Sequence, residues 1–446
     1  MKTIFITCFQ GFVSRNILST DAFTTLVGGG DVRVVIFAPE KRKETLQKEV
    51  GGENVLVEGI PVSPEREKWN ERWAWVWATN LLCTRTRSIQ RWSKFERDRN
   101  KFDYIFSICA ANLGRFRFVR SLYRFLADKI VTGADFDSFF ERYSPDLLFA
   151  ADVYTLQDVK MMRCAKRRGV ITVGMVRSWD NVTSKTLLSH IPDYMVVNSE
   201  RVKDEVSRIG DMPKRRIFAV GIPHYDRYLS SECMPRTQFL KANKLDPQKK
   251  VILFATPGDK YLEKNPITPM VLESLKDLDV SVFVRLPVVG RDELGDYVPP
   301  KNAVFDNPGM YPNFTEAHMT KEADRHLADC LNVSDVVITW ASTMIVDAAI
   351  FNKPTILIGF DASPRPYHKS IDQYYDYDHH KFALESGGVR LVKSPEELKH
   401  WVERYLREPS LDKDGREKIV KEYYGEFDRK AGKRLGNYLI EKLSAS

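Results

Sequence analysis

The sequence has little cysteine and no close cysteine pair. Its six cysteines, Cys8, Cys83, Cys109, Cys164, Cys233 and Cys330, are scattered over 446 residues without a C-x-x-C spacing. This excludes a disulfide framework and a cysteine-rich zinc site, and fits a reducing, cytoplasmic setting. No run approaches the ~18–20 uncharged apolar residues that span a bilayer, so a soluble chain is expected. Glycine (24) and proline (22) are near average and aromatics reach 11 %, which excludes collagen-like and disordered readings. There is no G-x-G-x-x-G, since Gly28-Gly29-Gly30 precedes a strand pattern instead of opening a helix. The eight histidines show no H-E-x-x-H spacing. In the apolar opening Met1–Cys8, no small-residue cleavage site follows and Gln10-Gly11 interrupt the run. A first buried strand is therefore expected there rather than a signal peptide.

What is present is an ordinary globular balance, 43 % apolar and 29 % charged, long enough for two or three domains. The net charge of +8 is unevenly placed. Residues 61–130 hold 15 Lys and Arg against 7 Asp and Glu, so that one segment carries the entire excess.

Short apolar runs alternate with amphipathic stretches, the pattern of βαβ units around parallel sheets. Strands are expected at Ile4–Cys8, Val32–Phe37, Val55–Val57, Tyr104–Cys109, Leu147–Ala150, Ile171–Val176, Tyr194–Asn198 and Ile217–Val220. A polar stretch, 229–250, then separates these from Val251–Ala255, Val282–Leu286, Val304–Asp306, Val336–Thr339, Thr355–Ile358 and Val389–Val392. Helices are expected at Gln157–Arg168, Glu200–Ile209, Lys321–Leu331, Pro395–Arg407 and Arg416–Leu443. The fold class is α/β, with two Rossmann-like doubly wound domains facing a cleft. The expected division is 1–228, a linker at 229–250, a second domain at 251–410, and C-terminal helices at 411–446 that pack back on the first domain. Ligands of such sheets bind beyond the carboxyl ends of the strands, which directs attention to the loops there.

From Ser334 to Thr355 a buried strand runs into Trp340-Ala341-Ser342-Thr343 and then a helix. Ser342 and Thr343 fall where the helix starts, so free N–H groups and hydroxyls there suit a phosphate. Asp347 follows one turn later, within reach of a sugar or ribose hydroxyl. The plain alternative is a helix cap with Asp347 facing solvent. This block resembles the nucleotide-binding element of GT-B glycosyltransferases, most of all the CDP-glycerol glycerophosphotransferase-like and related surface-polysaccharide transferases. The ending Phe427-Asp428-Arg429-Lys430-Ala431-Gly432-Lys433-Arg434-Leu435 is similar to the D-G-K-A-x-x-R ending of that group, with Arg429 in place of its glycine. The resemblance covers mainly residues 190–440. It implies the GT-B fold, a nucleotide-sugar donor on the second domain and an acceptor on the first.

Other loops add candidates. Arg177, Trp179, Asp180 and Asn181 follow a strand and combine charge, stacking and proton transfer, although Asp180-Asn181 also suits a simple polar turn. In Thr256-Pro257-Gly258-Asp259-Lys260, Gly258 permits close backbone approach to a diphosphate and Lys260 supplies charge. Arg285 ends the next strand as a further phosphate ligand. The glycerophosphotransferases show a His-Pro element near this point, where this chain has Leu286-Pro287. Arg15 and Asn16 follow Gly11 in the N-terminal loop on the acceptor side, and Asp152 ends the strand Leu147–Ala150. His318 lies in a GT-B-like position. Asp376-Tyr377-Asp378 with His379-His380 imitates the D-x-D metal site of a different architecture, so no metal is expected.

The resulting expectation is a metal-independent glycosyltransferase with no cofactor beyond its nucleotide-sugar donor, serving a glycan or lipid-linked acceptor in surface polysaccharide synthesis. Asp180, Asp152 or His318 would take the acceptor proton. Thr256, Gly258, Lys260, Arg285, Ser342, Thr343 and Asp347 would hold the donor. A nucleotide-sugar 2-epimerase or a CDP-glycerol-type transferase are the alternatives. A nucleic-acid partner is disfavoured, because no RNA- or DNA-binding signature accompanies the charge. In the basic segment, Trp69, Trp73 and Trp77 recur every fourth residue and would line one helix face. With Trp75, Trp92 and the surrounding arginines they suggest peripheral contact with the inner face of a membrane through residues 61–130. The other reading packs them into the core of the first domain.

Overall fold

The computed structural model describes residues 1–62, 68–229, 233–258, 266–289, 294–309 and 320–445. The chain divides into two units, one of Met1–Asp226 with Tyr423–Ser446, the other of Arg227–Glu422.

The first unit is built on seven parallel strands: β1 (Lys2–Thr7), β2 (Val32–Pro39), β3 (Val55–Ile60), β4 (Leu147–Ala150), β5 (Ile171–Met175), β6 (Tyr194–Val197) and β7 (Ile217–Ala219). Their order in the sheet is β3-β2-β1-β4-β5-β6-β7. The central strands are buried on both faces, which is why they read as continuous apolar runs rather than alternating ones. Ile4, Ile6, Val34, Ile36, Leu147 and Phe149 share a core with Leu435 and Leu439 of the C-terminal helix Ala431–Ser444. That helix lies tightly on Asp21–Val27. A Cβ at Gly436 would come within 2.7 Å of the Thr25 Cβ and 2.9 Å of the Ala22 carbonyl, so glycine is required for this approach.

Between β3 and β4 the described residues include four long consecutive helices, α1 (Trp69–Leu81), α2 (Arg85–Asp98), α3 (Lys101–Leu113) and α4 (Arg117–Ile130), ahead of a shorter helix at Asp137–Tyr143. The strand expected at Tyr104–Cys109 is instead the middle of α3. Its β-branched and aromatic residues mimic a strand in composition, but Asn100 caps the N-terminus by accepting from the Asp103 N–H at 3.1 Å. A short apolar run does not by itself distinguish the two conformations. The tryptophan stripe is divided. Trp73 and Trp77 pack on a small core of Ala74, Ala78, Leu81, Tyr123 and Ala127, whereas Trp69 is 81 % exposed. Further along, α5 (Glu200–Gly210) buries Val202 and Val206 and ends at Asp211, which adopts a left-handed φ of 63°.

The second unit has six parallel strands: β8 (Lys250–Ala255), β9 (Val280–Arg285), β10 (Ala303–Asp306), β11 (Val336–Thr339), β12 (Thr355–Ile358) and β13 (Arg390–Val392), in the order β10-β9-β8-β11-β12-β13. Residues 229–250 include the helix Arg236–Ala242. The single helix expected over Arg416–Leu443 is two, Lys413–Tyr423 and Ala431–Ser444. Gly425 and Arg429 interrupt it with left-handed φ values of 91° and 61°. Asp428 accepts from Arg434 Nη1 through both oxygens at 2.6 and 2.7 Å. Among the described residues, no helix is long and apolar enough to cross a membrane.

Candidate functional site

In the first unit the polar residues singled out from the sequence lie beyond the carboxyl ends of β1, β4 and β5. Asp152, just past β4, is buried and accepts from Arg177 Nε at 3.0 Å and from the Tyr154 N–H at 3.0 Å. Arg177 is thus paired with a carboxylate of its own unit. Asp180 precedes the single helical turn Asn181–Ser184 and accepts from the hydroxyls of Ser178 and, at 3.5 Å, Ser184. Both acids act on Tyr154. Burial first, then the negative charges of Asp152, Glu205 and Asp180, push its phenol well above the ordinary range. Trp179 is buried against Tyr423, with ring centroids 4.6 Å apart. Asn181 is 1 % exposed, and its Oδ1 has no hydrogen-bond partner. Asn16 sits in a π-helical turn, Ser14–Leu18, and its buried Oδ1 is likewise unpartnered; Arg15 beside it is half-buried. Such turns are rare and frequent at functional sites.

Two features of this end of the sheet were not anticipated. Asn198, directly after β6, is a third buried asparagine whose Oδ1 has no partner. Asp158 is 1 % exposed and bonded by the hydroxyls of Thr7 and Thr155, while Thr7 Oγ1 also accepts from the Ala151 N–H at 2.8 Å. Burial pushes the Asp158 carboxyl up to about 8 and the charge of Asp152 adds to this, against the opposing effect of the Thr155 and Thr7 bonds. Burial and the Asp152 charge thus favour the protonated form of Asp158, while Asp152 itself is matched to an arginine. The sequence Thr155-Leu156-Gln157-Asp158 carries a capping-box spacing, a signal that announces a helix start but not the Thr7 contact.

In the second unit, Thr256 follows β8. Its N–H donates to the Arg285 carbonyl at 3.1 Å, and its buried Oγ1 has no partner. Gly258 is left-handed, with φ of 69°. Ser342 Oγ lies 3.2 Å from Thr339 Oγ1 and accepts from the Met344 N–H at 3.3 Å; Thr343 is exposed at the start of the helix Met344–Ile350, and Asp347 is buried within it. Trp340 meets Tyr374 edge-on at 5.3 Å beside this loop. Arg285 is 4 % exposed, and its Nη1 is ion-paired with Asp306, which also bonds His326 Nε2 at 2.9 Å. Burial works to raise the Asp306 pKa, but His326 and Arg285 outweigh it and hold the carboxyl below the usual range. Lys260 and His318 lie outside the described residues.

Among the described residues, Asp306, His326 and Cys330 bring ligand-type atoms within 4.8 Å of one another. Burial pushes the Cys330 thiol up to about 12, and a guanidinium already neutralises Asp306. This chemistry suits an internal ion-pair network better than a divalent cation, which needs a thiolate and an unshared carboxylate. Asp376 accepts from the Tyr367 hydroxyl at 2.6 Å, and His379 and His380 are buried against each other at 4.5 Å.

Two parallel sheets, each with hydrogen-bonding groups held unpartnered beyond its strand ends, have counterparts among solved structures over the whole chain. UDP-GlcNAc 2-epimerase from Neisseria meningitidis, bound to UDP-GlcNAc, matches 99 % of this chain and 100 % of its own at a TM-score of 0.55 and 12 % identity. A glycosyltransferase from Rickettsia africae matches 100 % of this chain and 99 % of its own at 0.52 and 10 %, and the calicheamicin glycosyltransferase CalG4 matches 100 % and 98 % at the same score and identity. The fold is GT-B. No protein-family profile matches the chain. Among curated sequences, the teichoic acid poly(ribitol-phosphate) polymerase of Bacillus spizizenii is 21 % identical over 255 residues, which is 55 % of this chain and 37 % of that protein. The chain thus aligns with well under half the length of this relative.

Proposed function

We propose that this GT-B protein transfers a sugar, without a metal, from a nucleotide-sugar donor to a glycan or lipid-linked acceptor in the synthesis of a surface polysaccharide. The observation that carries the reading is the alignment of a GT-B chain with a teichoic acid polymerase. The donor is assigned to the second unit. There the unpartnered Thr256 hydroxyl, the left-handed Gly258 and the Ser342–Thr343 loop offer hydrogen bonds to a diphosphate, and Asp347 a partner for a sugar or ribose hydroxyl. Lys260 is retained as a donor ligand. Arg285 is retained as a phosphate ligand, with its Nη1 already paired to Asp306.

The acceptor is assigned to the first unit, with Asn16, Asn181 and Trp179 lining it and Arg15 and Arg177 supplying positive charge. Asp180 is the first choice of general base, ahead of Asp152, whose carboxylate is held by Arg177. His318 is the remaining candidate. A membrane-borne acceptor also agrees with the basic segment 61–130, where a groove of about 500 Å³ is lined by Arg72, Arg87, Arg91 and Lys94. Arg91 is 7 % exposed, with Nε unpartnered. On this reading the protein works at the inner face of a membrane.

A second reading, transfer of a polyol phosphate, is favoured by the name of the Bacillus relative, while Leu286-Pro287 departs from the His-Pro element of such enzymes. A third, 2-epimerisation, is favoured by the Neisseria neighbour. A thermal-shift screen of the full chain against UDP, GDP, CDP, CMP and dTDP tests the shared premise. A ligand that binds only the folded state raises its stability by RT ln(1 + [L]/Kd). A rise with one nucleotide diphosphate supports sugar transfer or epimerisation, a rise with CMP supports polyol-phosphate transfer, and no rise with any contradicts all three.

A further inference from the structure

The helix α4 is built the wrong way round for a helix that faces water. On a surface helix the apolar stripe turns inward and the charges outward. Here Tyr123, Arg124 and Ala127 are buried, whereas Phe118, Leu122, Phe125 and Leu126 are 70, 54, 56 and 41 % exposed. The inversion is anchored. Arg120 Nε and Arg124 Nη1 each donate to Asp211 Oδ2 at 2.8 Å. Arg124 also donates to the Leu188 carbonyl at 2.8 Å and the Gly210 carbonyl at 3.0 Å, and Arg120 to the Gly114 carbonyl at 2.7 Å. Charge-assisted bonds of this kind fix both geometry and rotation, so the phenylalanines cannot turn in without stripping two guanidinium groups of their partners.

The neighbouring helix α3 and its turn continue the theme with Phe102, Ile105, Leu113 and Phe116, all more than 45 % exposed. Thirteen of the twenty large apolar side chains exposed among the described residues lie between Trp69 and Leu126. Patches of this extent mark an interaction surface. The charge around it selects the partner: Arg115, Arg117 and Lys129 are exposed beside the apolar residues, with Lys129 Nζ 4.3 Å from the Phe125 ring centroid, and the enclosing segment holds the whole net +8.

We infer that the outward face of α4, with Phe102, Ile105 and Phe116, docks the protein on an anionic lipid bilayer. The rings enter the interface and the flanking cations meet lipid headgroups. The inference rests on the membrane reading given above but places the contact differently, because Trp73 and Trp77 pack internally. It assigns bilayer contact to the phenylalanines of α4.

The test is flotation of the full chain with vesicles of phosphatidylglycerol and phosphatidylcholine, and with phosphatidylcholine alone, at low and high salt. Sedimentation analysis of the oligomeric state runs in parallel, and the variant is Phe118→Ser with Phe125→Ser. The wild type is expected to float with the anionic vesicles only. The double variant, exposed at both positions and unchanged in its melting temperature, is expected to lose binding at least tenfold. A conservative companion, Phe118→Leu with Phe125→Leu, is expected to retain binding if the double serine variant proves misfolded. Wild type that never floats overturns the membrane reading as a whole. Wild type and folded serine variant floating equally overturns this face and leaves the broader reading standing. A self-association removed by the serine substitutions, without vesicle binding, assigns the face to a second copy and also overturns the inference.

Discussion

The two units share a plan and differ in what they add to it. Both are parallel sheets whose polar loops gather beyond the carboxyl ends, and both hold a buried hydrogen-bonding atom there without a partner, Asn16, Asn181 and Asn198 in the first and Thr256 in the second. The first unit inserts α1 to α4 between β3 and β4. The second, between β10 and β11, shows the one helix Lys321–Val333 among the described residues. The insertion holds the charge excess and most of the exposed apolar side chains, whereas the sheets hold the groups suited to a polar ligand. Under the function proposed above, the recurring part of the fold is assigned the ligand chemistry, and the added part the docking of the protein.

The largest effect expected from separating these parts is on stability. Asp211→Ala leaves the buried Arg124 and the half-buried Arg120 without their counter-charge, and since removing one partner of a fully buried ion pair costs about 3–5 kcal/mol, the loss here should approach the lower end of that range. Urea unfolding should show that loss; an unchanged midpoint would mean that Asp211 does not fix the orientation of α4. Next comes Asp180→Asn, which should lower turnover by about a hundredfold and leave nucleotide affinity alone. Full activity in that variant would transfer the proton to Asp152 or His318. Ser342→Ala with Thr343→Ala should do the reverse, weakening nucleotide binding by about 1.5–3 kcal/mol in calorimetry while vesicle binding persists. Loss of both functions together would break the division between sheet and insert.

A pH-dependent effect concerns Asp158. Its folded pKa of about 8 stands above the unfolded carboxylate value of about 4. The unfolded chain therefore gives up the proton first, and stability present at low pH declines as the pH rises through that window. Asp158→Asn should flatten the dependence of melting temperature on pH between about 4 and 8. An unaltered slope would mean that Asp158 is ionised throughout.

The strands were legible because a parallel strand buried on both faces leaves a continuous apolar run bounded by polar loops, as in Val251–Ala255. The same reasoning failed at Tyr104–Cys109, where the run is similar but lies in a helix capped by Asn100, with Ile105 and Ile108 facing outward. Loops such as 177–185 and 340–343 were found from their position after strands. Asp158 was not, because its environment is made by Thr7, 151 positions earlier in the chain. The inversion of α4 also escaped sequence reading. Its arginines and phenylalanines alternate with helical period, and which set turns in is decided by Asp211 on another helix end together with the Leu188 and Gly210 carbonyls.

The most direct measurement incubates the full chain with the nucleotide sugar selected by thermal shift, EDTA, and anionic vesicles carrying a lipid-linked glycan, and follows the products by mass spectrometry. A lipid-linked product heavier by one sugar residue is expected, with free nucleotide released in equal amount. Isomerised nucleotide sugar without any change in the lipid, or transfer that is lost in EDTA and restored by Mg²⁺, would contradict the proposed function.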